Sequence, residues 1–272
     1  MLPEAKPESL IYATGACLGT CVFSYPGGRV VGSLTVAGDG ACADVHGNVF
    51  ITNDNTIDEY AHGGTSPIAV LNLPGNAAIG CSRDVATGNL AVALEANGGD
   101  IAVFPNATGT PEVFNTGIGA SWCAYDNSGN LFASGIGDGP SLALAELPIG
   151  NSRFQPIAIS QSLGQPSQLQ WDGSYITWEG IGRGDISVSR LSISGSEATT
   201  IGTTHFNIGG KATQSWIDGS HIFIPFANGH QGKPTRVGIW RYPKGGSPTK
   251  TIKDFDGYDQ FRNIQAVTFS TK

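Results

Sequence analysis

The chain has 272 residues, 40% of them hydrophobic and only 14% charged, with 39 glycines and 15 prolines. That mix favours many short strands joined by tight turns over long solvated helices, in one large all-β domain or two small ones. Fifteen basic against 22 acidic side chains leave a net charge of -7 without a Lys/Arg stripe. Nucleic acid is therefore a poor partner, and no apolar run reaches membrane-spanning length.

The start, MLPEAKPESL, is polar and lacks the apolar region of a signal peptide. Residues 1–9 are expected to be an N-terminal extension, on a chain that is either cytosolic or stripped of a leader. LIYATGA (10–16) reads as a strand and CLGTC (17–21) as a hairpin end. A Cys17–Cys21 disulfide is expected there and would imply export; the alternative is two unpaired loop thiols.

From residue 44 onward a turn motif recurs: DVHGNVF (44–50), DVATGNL (84–90), DNSGNLF (126–132), WDGSYIT (171–177) and IDGSHIF (217–223). Asp44, Asp84, Asp126, Asp172 and Asp218 each follow a short run and precede an apolar strand. Their repetition marks them as turn residues that bond nearby backbone amides, not as a catalytic array. His46 and His62 fall on the same face and are expected to be solvated. A second motif runs out of phase: SYPGG (24–28), EYAHGGTSP (59–67), VFPNATGTP (103–111), ELPIGNS (146–152), RLSISGS (190–196) and RYPKGGSP (241–248). Together they define strand, Asp turn, strand, loop, strand, Gly turn, strand, a four-stranded meander repeated every forty-odd residues. That is the signature of a propeller blade.

The first unit lacks its first strand, and FRNIQAVTFS (261–270) is a strand with nothing after it. The economical expectation is closure, with the last strand becoming innermost in the first blade and removing an open edge. The sequence thus predicts one all-β domain over 1–272, a six-bladed propeller of four-stranded antiparallel blades. Its inner strands fall near 39–44, 78–84, 120–126, 166–172, 212–218 and 262–269.

The DxxGNLF turns followed by aromatic-Pro-x-Gly turns resemble the NHL-type repeat of six-bladed propellers. They are also similar to exported bacterial repeat proteins with "YPxG" and "DxxGN" signatures. The likeness spans nearly the whole chain and weakens in the last two units, where GN becomes GS. It implies a propeller and a secreted or periplasmic bacterial setting, and it does not name an activity.

In such a fold ligands are expected at the channel mouth on the face opposite the Asp turns. Inner-strand polar and aromatic residues are the candidates: Trp122, Gln168, Gln170, Gln214, Trp216 and Asn263, with Ser121 and Gln265 beside them. Alternation lets Gln168 and Gln170 share a face. Amides would orient a small polar ligand such as a sugar while an indole covers its apolar side. The bland alternative is that the amides bond one another. Cys42, Cys81 and Cys123 occupy or adjoin one recurring slot, so Cys123 reads as packing and not as a nucleophile. A Cys81–Cys123 bond is conceivable.

Loop residues on the ligand side are Asp54, Glu95, Asn97, Glu179, Arg183, His205, His230 and Asp259. TNDNT (52–56) and LEANGGD (94–100) offer oxygen ligands to a hard cation, without EF-hand spacing. No cofactor is expected, although a divalent cation in the channel is compatible with them. The favoured reading is a monomeric, non-catalytic propeller that binds a small polar ligand or a protein. The alternative is a metal-dependent hydrolase similar to gluconolactonase and paraoxonase propellers, or a lyase similar to streptogramin-inactivating ones. Only Asn263 resembles a ligand of the former, and His205 and His230 are the histidines available to the latter.

Overall fold

The computed structural model describes residues 1, 9–75, 77–95, 98–137, 141–181, 185–208, 212–227, 235–253 and 263–272. It is all-β. The first sheet contains β1 (Ser9–Ala16), β2 (Gly19–Tyr25) and β3 (Val30–Leu34). The second holds β4 (Gly40–Ala43), β5 (Val49–Asn53), β6 (Thr56–Tyr60) and β7 (Ala69–Asn72). The third holds β8 (Ala78–Arg83), β9 (Leu90–Leu94), β10 (Asp100–Phe104) and β11 (Glu112–Phe114).

The fourth sheet has eight strands. Four are β12 (Gly119–Tyr125), β13 (Leu131–Ile136), β14 (Leu142–Leu147) and β15 (Gln155–Ile159). The others are β16 (Gln165–Trp171), β17 (Ile176–Ile181), β18 (Asp185–Ser194) and β19 (Glu197–Asn207). The fifth sheet holds β20 (Trp216–Asp218), β21 (His221–Phe226), β22 (Arg236–Arg241) and β23 (Lys250–Ile252). Last comes β24 (Ala266–Ser270), which returns to the first sheet.

Among the described residues there are thus five hydrogen-bonded sheets, where the repeat predicts six separate ones. The difference lies in β15 and β19, the outer strands of two consecutive meanders. They pair in parallel through Ala158–Glu197 and Ile159–Ala198 and so fuse the two into one sheet. An exposed outer edge offers unpaired backbone groups, and here a neighbouring edge takes them up.

Closure follows the expectation. β24 pairs antiparallel with β1, from Leu10 opposite Ser270 to Thr14 opposite Ala266, so the chain's last strand completes its first sheet. β1 therefore lies second from the inner edge, as the missing first strand of the sequence repeat requires.

The core sits between sheets. In β9 alternate residues serve two neighbours: Leu90, Val92 and Leu94 pack with Cys42, Phe50 and Ile57 of the second sheet. Ala91 and Ala93 pack with Ala120, Cys123 and Leu131 on the other side. Similar clusters fill each space around the ring. The last joins Ile11, Val267 and Phe269 to Phe223 and Ile239 of the fifth sheet. Both faces of each sheet are covered, which is why the strands read as continuous apolar runs and not as half-exposed alternations.

Near the axis the sheets crowd. A Cβ on Gly40 would run into the Ile79 carbonyl, and one on Gly80 would lie 2.8 Å from the Trp122 ring. A disulfide joins Cys42 of β4 to Cys81 of β8, with Cα atoms 5.7 Å apart. Cys17 and Cys21 are also bonded, across the β1–β2 hairpin. Since Cys81 is bonded to Cys42, the Cys81–Cys123 pairing considered from sequence does not form. Cys123 is a free buried thiol, and burial pushes its pKa up to about 12.

Two outcomes follow. A chain ending before Ala266 loses the burial of Val267 and Phe269, about 3–6 kcal/mol together. It should aggregate or melt about 10 °C or more lower in calorimetry; unchanged melting of a monomer would refute closure. Mass spectrometry of the unreduced protein should find 17–21 and 42–81 cross-links, with Cys123 alkylated only after denaturation.

Candidate functional site

The strands nearest the axis are β24, β4, β8, β12, β16 and β20, and the ring they form opens at both ends. Where they end lie the Asp turns. Asp44 Oδ1 accepts from the amides of His46 and Asn48, and Asp126 Oδ1 from those of Ser128 and Asn130. Asp84 and Asp172 bond their own turns in the same way. Asp172 also accepts from Arg190 Nε at 2.6 Å and Tyr242 OH at 2.7 Å, tying neighbouring meanders together. His62, expected to be solvated, has Nδ1 2.7 Å from Ser270 Oγ on the closing strand. At this end a cavity of about 370 Å³ is bordered by Arg83, Trp216 and Phe269 with Asp44, Asp84 and Asp218.

Where the axial strands begin, a cavity of about 360 Å³ has Ile79, Trp122, Pro166 and Ile181 among its apolar lining residues. Asp39, Glu95, Ser167, Thr213, Gln214 and Gln265 supply its polar side. Asp39 is held above the usual carboxylate range by burial and by repulsion from Asp54.

The expected ligand residues divide. Trp122, half-buried, lines this cavity, whereas Trp216 stands at the opposite mouth, so the two indoles do not serve one ligand. Gln214 borders the cavity but is only 1% exposed. Its Oε1 accepts from Ala41 N at 3.0 Å and its Nε2 donates to Ala41 O at 2.6 Å. Gln170 makes the same double bond to the next meander, donating to Ile217 O at 2.7 Å and accepting from Ile217 N at 2.8 Å. Gln168 is buried, with Oε1 3.2 Å from Leu169 N. Asn263 has φ 145°, and the Cβ of any side chain at Gly15 would collide with its carbonyl.

The reason is geometric. In this ring the strand side chains alternate between the two neighbouring sheets, not between channel and exterior. An axial amide therefore meets the backbone of another meander, the adjacent one for Gln170 and the second sheet, past the first, for Gln214.

Other candidates fall elsewhere. Glu179, expected on a loop, lies inside β17 and is 2% exposed. Its Oε1 accepts from Ser167 Oγ at 2.7 Å and its Oε2 from Ser215 Oγ. Burial, partly offset by those two hydroxyls, raises its pKa to about 7. His205 lies in β19, and Asp54 turns the β5–β6 hairpin with φ 50°. Asn97, Arg183, His230 and Asp259 lie outside the described residues. Among the described residues no three His, Cys, Asp or Glu side chains are grouped to hold a metal ion. Ser167 and Gln265 were not singled out as site residues by sequence reasoning, although Gln265 adjoined the candidates. For Ser167 the signal is a strand irregularity that only the pairing register reveals.

No family model matches the chain, and no curated protein matches it by sequence. Solved structures do match by shape. A chain from a nidogen–laminin complex aligns with a TM-score of 0.69 at 14% identity, covering 97% of this chain and 98% of that one. A Bacteroides caccae protein of unknown function aligns at 0.60 and 13% identity, covering 97% and 100%. A TolB-like protein of Agrobacterium tumefaciens aligns at 0.60 and 13%, covering 90% and 88%. At such identities the likeness establishes fold and nothing of activity. With the ring of four-stranded meanders, it defines the protein as a β-propeller.

The buried carboxyl gives a pH signature. Glu179 has a folded pKa of about 7 against an ordinary 4.5. The native state thus holds its proton more tightly, and the stability this contributes is full below pH 4.5 and lost as pH rises through about 7. Melting temperature should fall across that window, and Glu179→Gln should flatten the fall; an unchanged profile would contradict the assignment. Gln214→Ala leaves the Ala41 backbone groups unsatisfied and should cost about 1–3 kcal/mol in denaturant unfolding.

Proposed function

We propose that the protein is an exported, NHL-like propeller of six blades that binds a small polar ligand or a protein partner at the Trp122 mouth. The eight-stranded sheet is counted as two blades, because its halves are complete meanders that pack face to face and share a sheet through the β15–β19 edge. The domain then runs from Ser9 to the C-terminus. Two disulfides support an oxidising compartment, since such bonds persist in secreted and periplasmic proteins. No described helix is long and apolar enough to cross a membrane.

The observation that carries the reading is the cavity itself. One indole and two isoleucines share with carboxylates, hydroxyls and amides the lining of a cavity of about 360 Å³. That volume lies in the range of small-molecule sites, and its few convergent polar groups on an apolar wall are what fixes a ligand's orientation. Gln214 enters the reading as wall and not as ligand-reader, because its amide is occupied by Ala41. Gln265, whose amide has no hydrogen bond among the described residues, replaces it as the one to turn toward an occupant. The nidogen–laminin match supports the protein-partner form of the proposal, as a propeller-type fold found in a protein complex.

Tryptophan fluorescence titrated with a glycan and small-metabolite panel tests this. A ligand should quench or shift emission in the wild type and lose at least tenfold in affinity in Trp122→Ala. Trp216→Ala, at the other mouth, should bind normally. Binding that follows Trp216 instead would overturn the assignment.

A further inference from the structure

Behind the wall of the Trp122 cavity, bonded to the lining residue Ser167, lies the buried carboxyl of Glu179, which binding alone does not require. At the matching position of two other meanders the repeat takes a small residue: Thr52 opposite Gly40 and Ser134 opposite Trp122. In β17 that place is Glu179, opposite Gln168. Two hydroxyls hold it, and among the described residues no ion pair does. Burying a carboxyl is costly relative to a well-packed neutral side chain, so its presence directly behind a cavity residue points to a chemical role.

Ser167 is the residue beside it. The β16–β17 register passes from Pro166–Gly180 directly to Gln168–Glu179, leaving Ser167 as the extra residue of a bulge. A bulge re-aims a side chain, and such bulges gather next to active sites. Here it sets Ser167 on the cavity wall with its hydroxyl 2.7 Å from Glu179 Oε1. Ser215, arriving from the neighbouring meander, holds the other carboxyl oxygen. A hydroxyl in hydrogen-bond reach of a base, with that base oriented by a third group, is the arrangement of an activated nucleophile.

We propose that Ser167 is a nucleophile accepting the acyl group of a small uncharged or cationic ester or lactone, with Glu179 as its general base and Ser215 as a positioning residue. The proposal rests on the Trp122 cavity being the functional mouth. Ser167 Oγ bonds to the carbonyl carbon as its proton passes to the Glu179 carboxylate. The carbon–alkoxy bond then breaks, and the leaving oxygen takes that proton. Water cleaves the acyl-serine the same way, so ester and water become acid and alcohol and both side chains are restored. Asp39 and Glu95 at the rim disfavour anionic acyl donors, while the Trp122 ring and Ile79 accept an apolar acyl chain. The carboxyl's elevated pKa makes it a stronger base than an ordinary glutamate at neutral pH.

The test uses the full chain and p-nitrophenyl acetate, read by mass spectrometry of the Ser167 peptide. Ser167 should be acetylated at a rate that rises through about pH 7, and Ser167→Ala should not be labelled. Glu179→Gln keeps the side chain's shape and should lower the rate by about 100-fold or more. Melting curves establish that each variant is folded. An unlabelled Ser167 in folded wild-type protein, or an equal rate in folded Glu179→Gln, overturns the proposal. Trp122 fluorescence is scored separately. A ligand bound at the mouth beside an unlabelled Ser167 retires the nucleophile and keeps the binding site. A labelled Ser167 with no ligand found keeps the nucleophile and retires the binding reading.

Discussion

Everything in this ring depends on the pairing of β24 with β1. Each meander has apolar residues on both faces, so each needs a neighbour on either side. A linear stack would leave two apolar faces and an unpaired inner edge exposed. The last five-residue strand removes all three exposures together: its backbone completes the first sheet, and its Val267 and Phe269 join the cluster between the first and fifth sheets. Phe269 stacks on Phe223 with ring centroids 4.8 Å apart and meets Tyr25 edge-on at 5.1 Å. Sequence-distant chain ends are thereby made one core.

The second constraint is what holds neighbouring meanders together near the axis, where side chains run out of room. Sheets in this ring are hydrogen-bonded internally; β15 and β19 fuse two meanders by their edges, and single backbone bridges at Phe206–Gly246 and Gln214–Ala266 link others. Individual devices add to this: the Cys42–Cys81 bond, the Gln170–Ile217 amide pair and the Tyr125 amide on Ser82 Oγ at 3.0 Å join neighbours, while the Gln214–Ala41 pair reaches past the first sheet to the second. Each of these hydrogen bonds satisfies a backbone group that would otherwise be buried without a partner. This explains why amides and small residues gather on the axial strands. Two carboxyls also reach across seams, Asp172 to Tyr242 and Glu179 to Ser215, and of these Glu179 is the more deeply buried.

Much of the architecture was legible in the sequence because it is written in periodic residues. The Asp turns, Gly turns and unpaired final strand gave the meanders, the inner-strand positions and the closure. The fused sheet was not legible, since edge pairing of β15 with β19 involves two residue pairs with no motif of their own. For the site the picture is mixed. Trp122 was legible as an aromatic on an axial strand. The roles of Gln170 and Gln214 were not, because reading alternation as channel against exterior ignores that sheets stand face to face around the axis. The Cys42–Cys81 pairing required knowing which inner strands are adjacent and in what register. The placement of Ser167 required a bulge, which a residue count along one strand cannot reveal.

The central claim is that the chain's two ends form one cooperative sheet on which the ring relies. Amide hydrogen exchange measures it directly. If β24 is integral to the ring, its amides should exchange as slowly as those of β1, opening only with the free energy of global unfolding. Rapid exchange over Ala266–Ser270, while β1 and the sheets on either side stay protected, would show that the ring stands without its last strand and would contradict the account.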